Sequence, residues 1–141
     1  MINSQKKIKS SLGFSLVELL VVVAIIGILS AVGVISYNGY IFGTKEKTAK
    51  NVMQQISLAQ TEEYSNTSSY HISTTCGDPS KESSDAIEAA LFGTADIITE
   101  EMKYYICIEE TAGGSSYIIK AKQTNGDKTI TLSANGVWTG K

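Results

Sequence analysis

The chain has 141 residues, enough for one domain with an appended segment, and its hydrophobic content of 43% is ordinary. All 12 basic residues are lysines, and 14 acidic residues outnumber them. An acidic chain without arginine lacks the clustered cations that bind phosphates, so its composition argues against nucleic-acid binding. The charge balance gives no sign of acidic substrates either.

The first 13 residues form a short basic segment. Lys6, Lys7 and Lys9 lie in it, whereas the remaining chain holds nine lysines and all 14 acidic residues. Basic residues that flank a membrane span tend to stay in the cytoplasm. The asymmetry therefore predicts a cytoplasmic N-terminus and an exported remainder.

An almost unbroken apolar run follows, from Phe14 to Tyr37. Its 24 positions contain four polar side chains, which are Ser15, Glu18, Ser30 and Ser36. As a helix the run would be roughly 36 Å long, enough to cross a hydrocarbon layer of about 30 Å. The sequence thus predicts a single-pass membrane protein.

The apolar run is too long for an ordinary secretory signal, whose apolar core is followed by a cleavage site. Residues 31–33 (Ala-Val-Gly) loosely match such a site, so cleavage there is one alternative. A plain uncleaved anchor also fits the length. An anchor alone does not explain why a glycine is followed by Phe-Ser-Leu-Val-Glu at the cytoplasmic edge.

Gly13 followed by FSLVELLVVVAIIGILSAVGVISY resembles the N-terminus of type IV pilins and the related secretion pseudopilins. The resemblance covers roughly residues 6–45 and combines a glycine, an aromatic residue, a glutamate and a long apolar helix. It implies cleavage between Gly13 and Phe14 by a prepilin peptidase, with methylation of the new Phe14 amine. The predicted parts are a leader (1–13), a transmembrane and polymerisation helix (14–37) and an exported globular domain (38–141).

One position departs from the family pattern. Family members often carry a proline in the middle of this helix, where this chain has Ile35. Glycines that weaken the helix locally are an alternative to that proline; they are Gly27, Gly33, Gly39 and Gly43. In the family this stretch can lose helical structure in the filament. Gly27 and Ala31 are also spaced as a contact face for neighbouring helices.

Glu18 has three explanations. With Ser15 it fits a capping box, in which the glutamate accepts a hydrogen bond from an early backbone N–H. It also lies about 6 Å into the helix, close enough to the lipid headgroups to avoid full burial. In the third, suggested by the resemblance, Glu18 pairs with the Phe14 amine of an adjacent subunit. Such a pair would set the register between subunits, because either charge left unpaired in the membrane is costly.

The helical pattern continues into the exported part, to about Ser65. Apolar residues recur there at spacings of three and four, at Ala49, Val52, Met53, Ile56 and Ala59. We therefore expect one helix from Phe14 to about Ser65. A helix of that length, about 78 Å, cannot be covered by one small domain, so its first half must contact lipid or other copies.

Residues 66–84 are rich in serine and threonine and indicate a loop, after which Asp85 begins a short helix that ends near Gly93. Three strands follow, predicted at Lys103–Glu109, Ser116–Lys122 and Lys128–Ala134. A short edge piece is expected at 136–139. The side chains expected to be buried are Ile106, Ile108, Ile119, Ile130 and Leu132. The fold class is α+β: a long N-terminal helix packed on an antiparallel sheet of about three to four strands.

Cys76 and Cys107 both lie on the side predicted to be exported. In an oxidising compartment two thiols most simply form one disulfide. Two unrelated buried thiols are the alternative.

The sequence shows no pattern for catalysis, for cofactor binding or for a metal site, so we expect a protein that is not an enzyme. His71 is the only histidine and is predicted to be a solvent-facing loop residue. The acidic pairs at 62–63, 100–101 and 109–110 are predicted to be solvated.

The resemblance implies a structural subunit of a type IV pilus. Its partners would be other pilin subunits of the same or another kind, the prepilin peptidase and the pilus assembly machinery. The subunit would cross the inner membrane once before assembly and lie in an extracellular filament afterwards. The alternatives are a periplasmic pseudopilin of a type II-like secretion system, a competence pilin that binds DNA, and an anchored binding domain that never polymerises.

Overall fold

The computed structural model describes residues 13–140, which fall into two units divided after Tyr40. The leader lysines Lys6, Lys7 and Lys9 lie outside the described residues. Helix α1, Leu16–Thr67, begins in the first unit and ends in the second. The predicted long helix is thus confirmed, with a start and an end each two residues later than expected.

The second unit contains the remaining elements. After α1 come helix α2 (Lys81–Leu91), a 3₁₀ turn (Glu100–Met102) and four strands: β1 (Tyr104–Glu110), β2 (Tyr117–Gln123), β3 (Thr129–Ser133) and β4 (Trp138–Gly140). The strands form one antiparallel sheet in the order β1-β2-β3-β4. The predicted α+β class and the strand bounds, to within two residues, are confirmed.

The register of the sheet follows the alternation of apolar residues along each strand. Ile119 of β2 faces Ile108 of β1 on one side and Leu132 of β3 on the other, so these side chains lie on one face of the sheet. Glycines in the left-handed region shape two of the turns: Gly113 and Gly114 between β1 and β2, and Gly136 between β3 and β4.

The core of the second unit lies between this face of the sheet and one stripe of α1. All five strand residues predicted to be buried are buried. The helix contributes Ala49, Val52, Met53 and Ile56 at the predicted spacing, but the next buried residue is Gln60 rather than Ala59. A polar side chain thus occupies the end of an otherwise apolar stripe.

The start of α2 corrects the sequence interpretation. The helix begins at Lys81, and Ser80 is its N-cap: the Ser80 hydroxyl accepts from the Ser83 backbone, and the Ser83 hydroxyl accepts from the Ser80 backbone. Residues 81–84 were predicted to be loop because they are polar. Ser83 and Ser84 are instead buried, and their hydroxyls bind the backbone of β1.

Candidate functional site

The first turn of α1 contains a reciprocal cap. The backbone N–H of Ser15 donates to Glu18 Oε2 at 2.9 Å, and the backbone N–H of Glu18 donates to the Ser15 hydroxyl at 3.2 Å. These are the two bonds of a capping box, which satisfies donors that the helix itself cannot use. A carboxylate in the first turn also interacts favourably with the helix dipole. The capping explanation of Glu18 therefore applies within a single copy of the chain.

Residues 13–15 precede this helix without regular secondary structure. Gly13 is exposed and Phe14 is 87% exposed. The peptide bond between them thus lies before the hydrogen-bonded turns of α1. Cleavage there would place a new amine one residue before Ser15.

The apolar part of α1 makes no core of its own. Its large side chains between Leu16 and Ile35 are all exposed, from 47% at Val22 to 81% at Leu16. Within the described residues, α1 is the one helix long and apolar enough to cross a membrane, judged by its length and composition. An apolar surface this extensive requires lipid or other protein chains to cover it.

The glycines of this segment lie within α1, and the helix continues through Ile35 without interruption. The space beside Gly27 and Gly33 is open, since a Cβ added to either glycine would meet no atom within 4 Å. Ser30 donates its hydroxyl to the Ile26 carbonyl at 2.7 Å and so satisfies its polar group within the helix. The helix therefore presents Gly27 and Gly33 to any neighbour, and the hydroxyl of Ser30 between them is already hydrogen-bonded.

A disulfide joins Cys76 and Cys107, in agreement with the predicted pairing. It attaches the loop after α1 to the centre of β1. Ser73 adds two hydrogen bonds to the same strand: its backbone N–H donates to the Ile108 carbonyl at 2.9 Å, and its hydroxyl accepts from the Ile108 N–H at 3.0 Å. The loop is thus held both covalently and by hydrogen bonds.

The outer edge of β1 is consequently occupied along its middle. Ser73 binds both backbone groups of Ile108, and the hydroxyls of Ser83 and Ser84 bind those of Ile106. The edge of a sheet normally exposes such groups for pairing with another strand. Here the hydroxyls of Ser73, Ser83 and Ser84 and the backbone N–H of Ser73 bind these groups instead of another strand.

His71 corrects another prediction, because it is half-buried rather than solvent-facing. Its backbone is held by the side chain of Gln60, whose amide donates to the His71 carbonyl at 2.6 Å and accepts from the His71 N–H at 2.8 Å. The buried His71 Nε2 has no hydrogen-bond partner among the described residues. Burial lowers the pKa of His71, and the negative charge of Glu63 opposes this effect only in part.

Glu46 of α1 pairs with Lys128 beside β3 and with Lys50 of the same helix. Its carboxylate oxygens lie 2.6 Å from Lys128 Nζ and 2.9 Å from Lys50 Nζ, and Lys50 also lies 5.9 Å from the centre of the Trp138 ring. Hydrogen bonds from Lys128 and then Lys50 hold the pKa of Glu46 below its ordinary value. This cluster ties the helix to the ends of β3 and β4.

Among residues 13–140 there is no group of histidine, cysteine, aspartate and glutamate side chains that could hold a metal ion. The candidate functional features of the described residues are therefore the capped start of α1 and its exposed apolar surface.

Residues 8–34 match the family model described as the prokaryotic N-terminal methylation motif. No curated protein and no solved structure matches the chain. The matched segment contains Gly13, Phe14 and Glu18 and extends over most of the exposed apolar part of α1. That part of the helix fits membrane anchoring, and the motif indicates a structural rather than an enzymatic protein. The chain carries at its N-terminus the signature of the type IV prepilins.

Proposed function

We propose that this chain is a structural subunit of a type IV pilus and polymerises through α1 into a surface filament. The observation that carries the proposal is the apolar part of α1, which directly follows the processing signature and remains exposed in the single copy. Before assembly lipid would cover this surface, and after assembly the same surface of other subunits would cover it. The chain would therefore pass from the inner membrane to an extracellular filament.

The processing step in this proposal is cleavage between Gly13 and Phe14 by a prepilin peptidase, followed by methylation of the Phe14 amine. The exposure of both residues and their position before the first helical turn support it. The cut would remove Lys6, Lys7 and Lys9 with the leader and leave the apolar helix at the start of the mature chain. Removing these three charges would eliminate the cytoplasmic anchor that opposes extraction from the membrane.

Glu18 would act in both the cap and the assembly. A carboxylate has two oxygens and roughly four acceptor positions, so one bond from the Ser15 N–H leaves capacity for a second donor. The amine of Phe14 in an adjacent subunit is the donor that this proposal supplies. Because an unpaired charge in the membrane is costly, the pair would favour one stagger between neighbouring helices.

The proposal is tested by expressing the full chain with a pilus assembly system and examining the cells by electron microscopy. Mass spectrometry of the sheared filaments should identify this chain, beginning at a methylated Phe14. Gly13→Leu should accumulate as the longer form and give no filaments, whereas Gly27→Leu, placed well inside the helix, should still be processed. A retained leader, or a new N-terminus near Gly33, would contradict the proposal. Assemblies confined to the periplasm would favour the secretion pseudopilus.

A further inference from the structure

In the second unit, α1 presents a continuous stripe to solvent. Lys47, Asn51, Gln54, Leu58 and Glu62 follow one another at spacings of three or four residues, and all five are exposed. The opposite side of the helix, with Met53 and Ile56, lies in the core. The stripe is thus the face of α1 that the sheet leaves uncovered.

The two ends of this stripe carry opposite charges. Lys47 and Glu62 are separated by 15 residues, which corresponds to about 22 Å along a helix. Within the described part of the chain neither makes an ion pair. Five other lysines do form ion pairs: Lys50, Lys81, Lys120, Lys122 and Lys128. Among residues 13–140, the charges at the two ends of the stripe therefore have no oppositely charged partner.

Leu58 lies within the same stripe and is 73% exposed. It borders a shallow groove whose lining includes Leu132, Ala134 and Trp138. Val137, in the turn between β3 and β4, is 58% exposed. An exposed leucine beside an apolar groove, with a charge beyond it in each direction along the helix, is typical of a protein contact with a polar rim.

We propose that the Lys47 end of this stripe binds the Glu62 end of the same stripe in a second copy, with the two helices parallel and offset by about 15 residues. The inference rests on the proposed function and adds the register of the exported part. The offset also places Leu58 of one copy level with Gly43 of the other, where the space around the helix is open. The charges and the leucine thus support the same register.

Two antiparallel helices would also bring Lys47 of each copy to Glu62 of the other. The direction in which the chain crosses the membrane argues against this arrangement. In a membrane every copy is anchored by the apolar residues that precede this stripe, so neighbouring helices run in the same direction. The parallel and antiparallel contacts would produce different assemblies. A parallel offset contact is heterologous and propagates, whereas the antiparallel contact is two-fold symmetric and closes at the dimer.

Charge reversal provides the first test. Lys47→Glu and Glu62→Lys should each abolish most filaments, and the double variant should restore them, because the reversed charges again attract. Asp96→Lys, an exposed reversal in a loop away from the stripe, should leave the yield unchanged. All variants should keep the wild-type melting temperature, since the substituted side chains are exposed. Normal yield from both single reversals would overturn the inference.

Cross-linking distinguishes the geometries. The double variant Lys47→Cys with Glu62→Cys, oxidised on intact filaments, should give a ladder of covalent oligomers on non-reducing gels. Each single variant should remain monomeric, since Cys76 and Cys107 are already paired. Dimers without higher species would indicate the antiparallel contact, and no cross-linking in intact filaments would exclude both. If the wild type forms no filaments, the proposed function itself fails, which is a separate outcome.

Discussion

The side chain of Gln60 makes two hydrogen bonds to the backbone of His71, donating to its carbonyl and accepting from its N–H. Gln60 is fully buried, and its amide carries both a donor and an acceptor, so one side chain serves both backbone atoms. The end of α1 and the loop that follows it are thus connected by a polar contact inside an apolar surrounding.

Gln60→Leu should destabilise the second unit. The leucine fits an apolar stripe, but it leaves the His71 N–H and carbonyl without partners, at a cost of about 1–3 kcal/mol for each buried group that water cannot reach. Thermal or urea unfolding of the purified exported part would measure the loss. Gln55→Leu, an exposed position on the same helix, is the matched control and should change stability little. Equal stability of the two variants would contradict this account.

Stability should fall as the pH drops below the ordinary histidine pKa of about 6.5. Burial lowers the pKa of His71 in the folded chain, so on acidification the unfolded state takes up a proton first. The stabilising contribution is present above the unfolded pKa, about 6.5, and is lost as the pH falls below it. His71→Gln should remove this step from a plot of melting temperature against pH. A step of the same size in His71→Gln would assign it to another group.

Glu46→Gln should lower stability modestly and in a salt-dependent manner. The substitution removes the charge that pairs with Lys50 and Lys128, and partly exposed ion pairs contribute up to about 1 kcal/mol each. The difference from wild type should shrink in high salt, because screening weakens the pairs that remain in the wild type. Glu82→Gln, an exposed glutamate on α2, is the control. A salt-independent difference would point to packing instead.

The lowered pKa of Glu46 adds a second acid-sensitive element. Its contribution is present above the ordinary glutamate value and is lost as the pH falls through the lower folded value, well below the His71 transition. The two steps are therefore separable in a titration of stability.

Cys76→Ser and Cys107→Ser should each lower the melting temperature, and the double variant should be no worse than the less stable single variant. Cross-linking residues 31 apart restricts the unfolded chain by roughly 3.7 kcal/mol in the chain-entropy view. The loop should nevertheless stay docked below the transition, because Ser73 still binds Ile108. Peptide mapping without reductant is the direct check; two free thiols in envelope protein would refute the bond.

Glu18→Gln and Glu18→Ala separate capping from charge. Glutamine can accept the Ser15 N–H bond and keep the capping box, whereas alanine cannot. If the carboxylate charge pairs with a neighbouring amine, both variants should be inserted and processed but should assemble poorly. Counting the filaments and measuring the processed fraction of each variant distinguishes the capping role of Glu18 from its charge-pairing role. Normal assembly of Glu18→Gln with defective Glu18→Ala would limit Glu18 to the cap.

Periodicity predicted the apolar part of this fold well, and buried polar residues account for the errors. Ile108, Ile119 and Leu132 alternate along their strands, and this pattern sufficed to predict their burial. In the sequence Ser83 and Ser84 resemble surface residues. Their hydrogen-bond partner, the backbone of Ile106 in the edge strand, lies more than 20 residues further along the chain. Only the folded chain brings the two together.

Gln60 could have been found from the sequence. It lies four residues after Ile56 and seven after Met53, at the next position of the buried stripe of α1. A polar residue at such a position indicates a buried hydrogen-bonding role. The partner, the backbone of His71, depends on how the loop turns back, which no local pattern specifies. For the same reason His71 was wrongly predicted to face solvent.

The serine contacts along β1 restrict how these molecules can associate when they are concentrated side by side. Because Ser73, Ser83 and Ser84 occupy the backbone groups of Ile106 and Ile108, a strand from another molecule finds no row of vacant donors and acceptors there. Edge-to-edge growth of the sheet, the route to amyloid-like aggregates, is thus blocked on this side. Copies of this domain that are crowded together can then remain separate molecules on this side of the sheet.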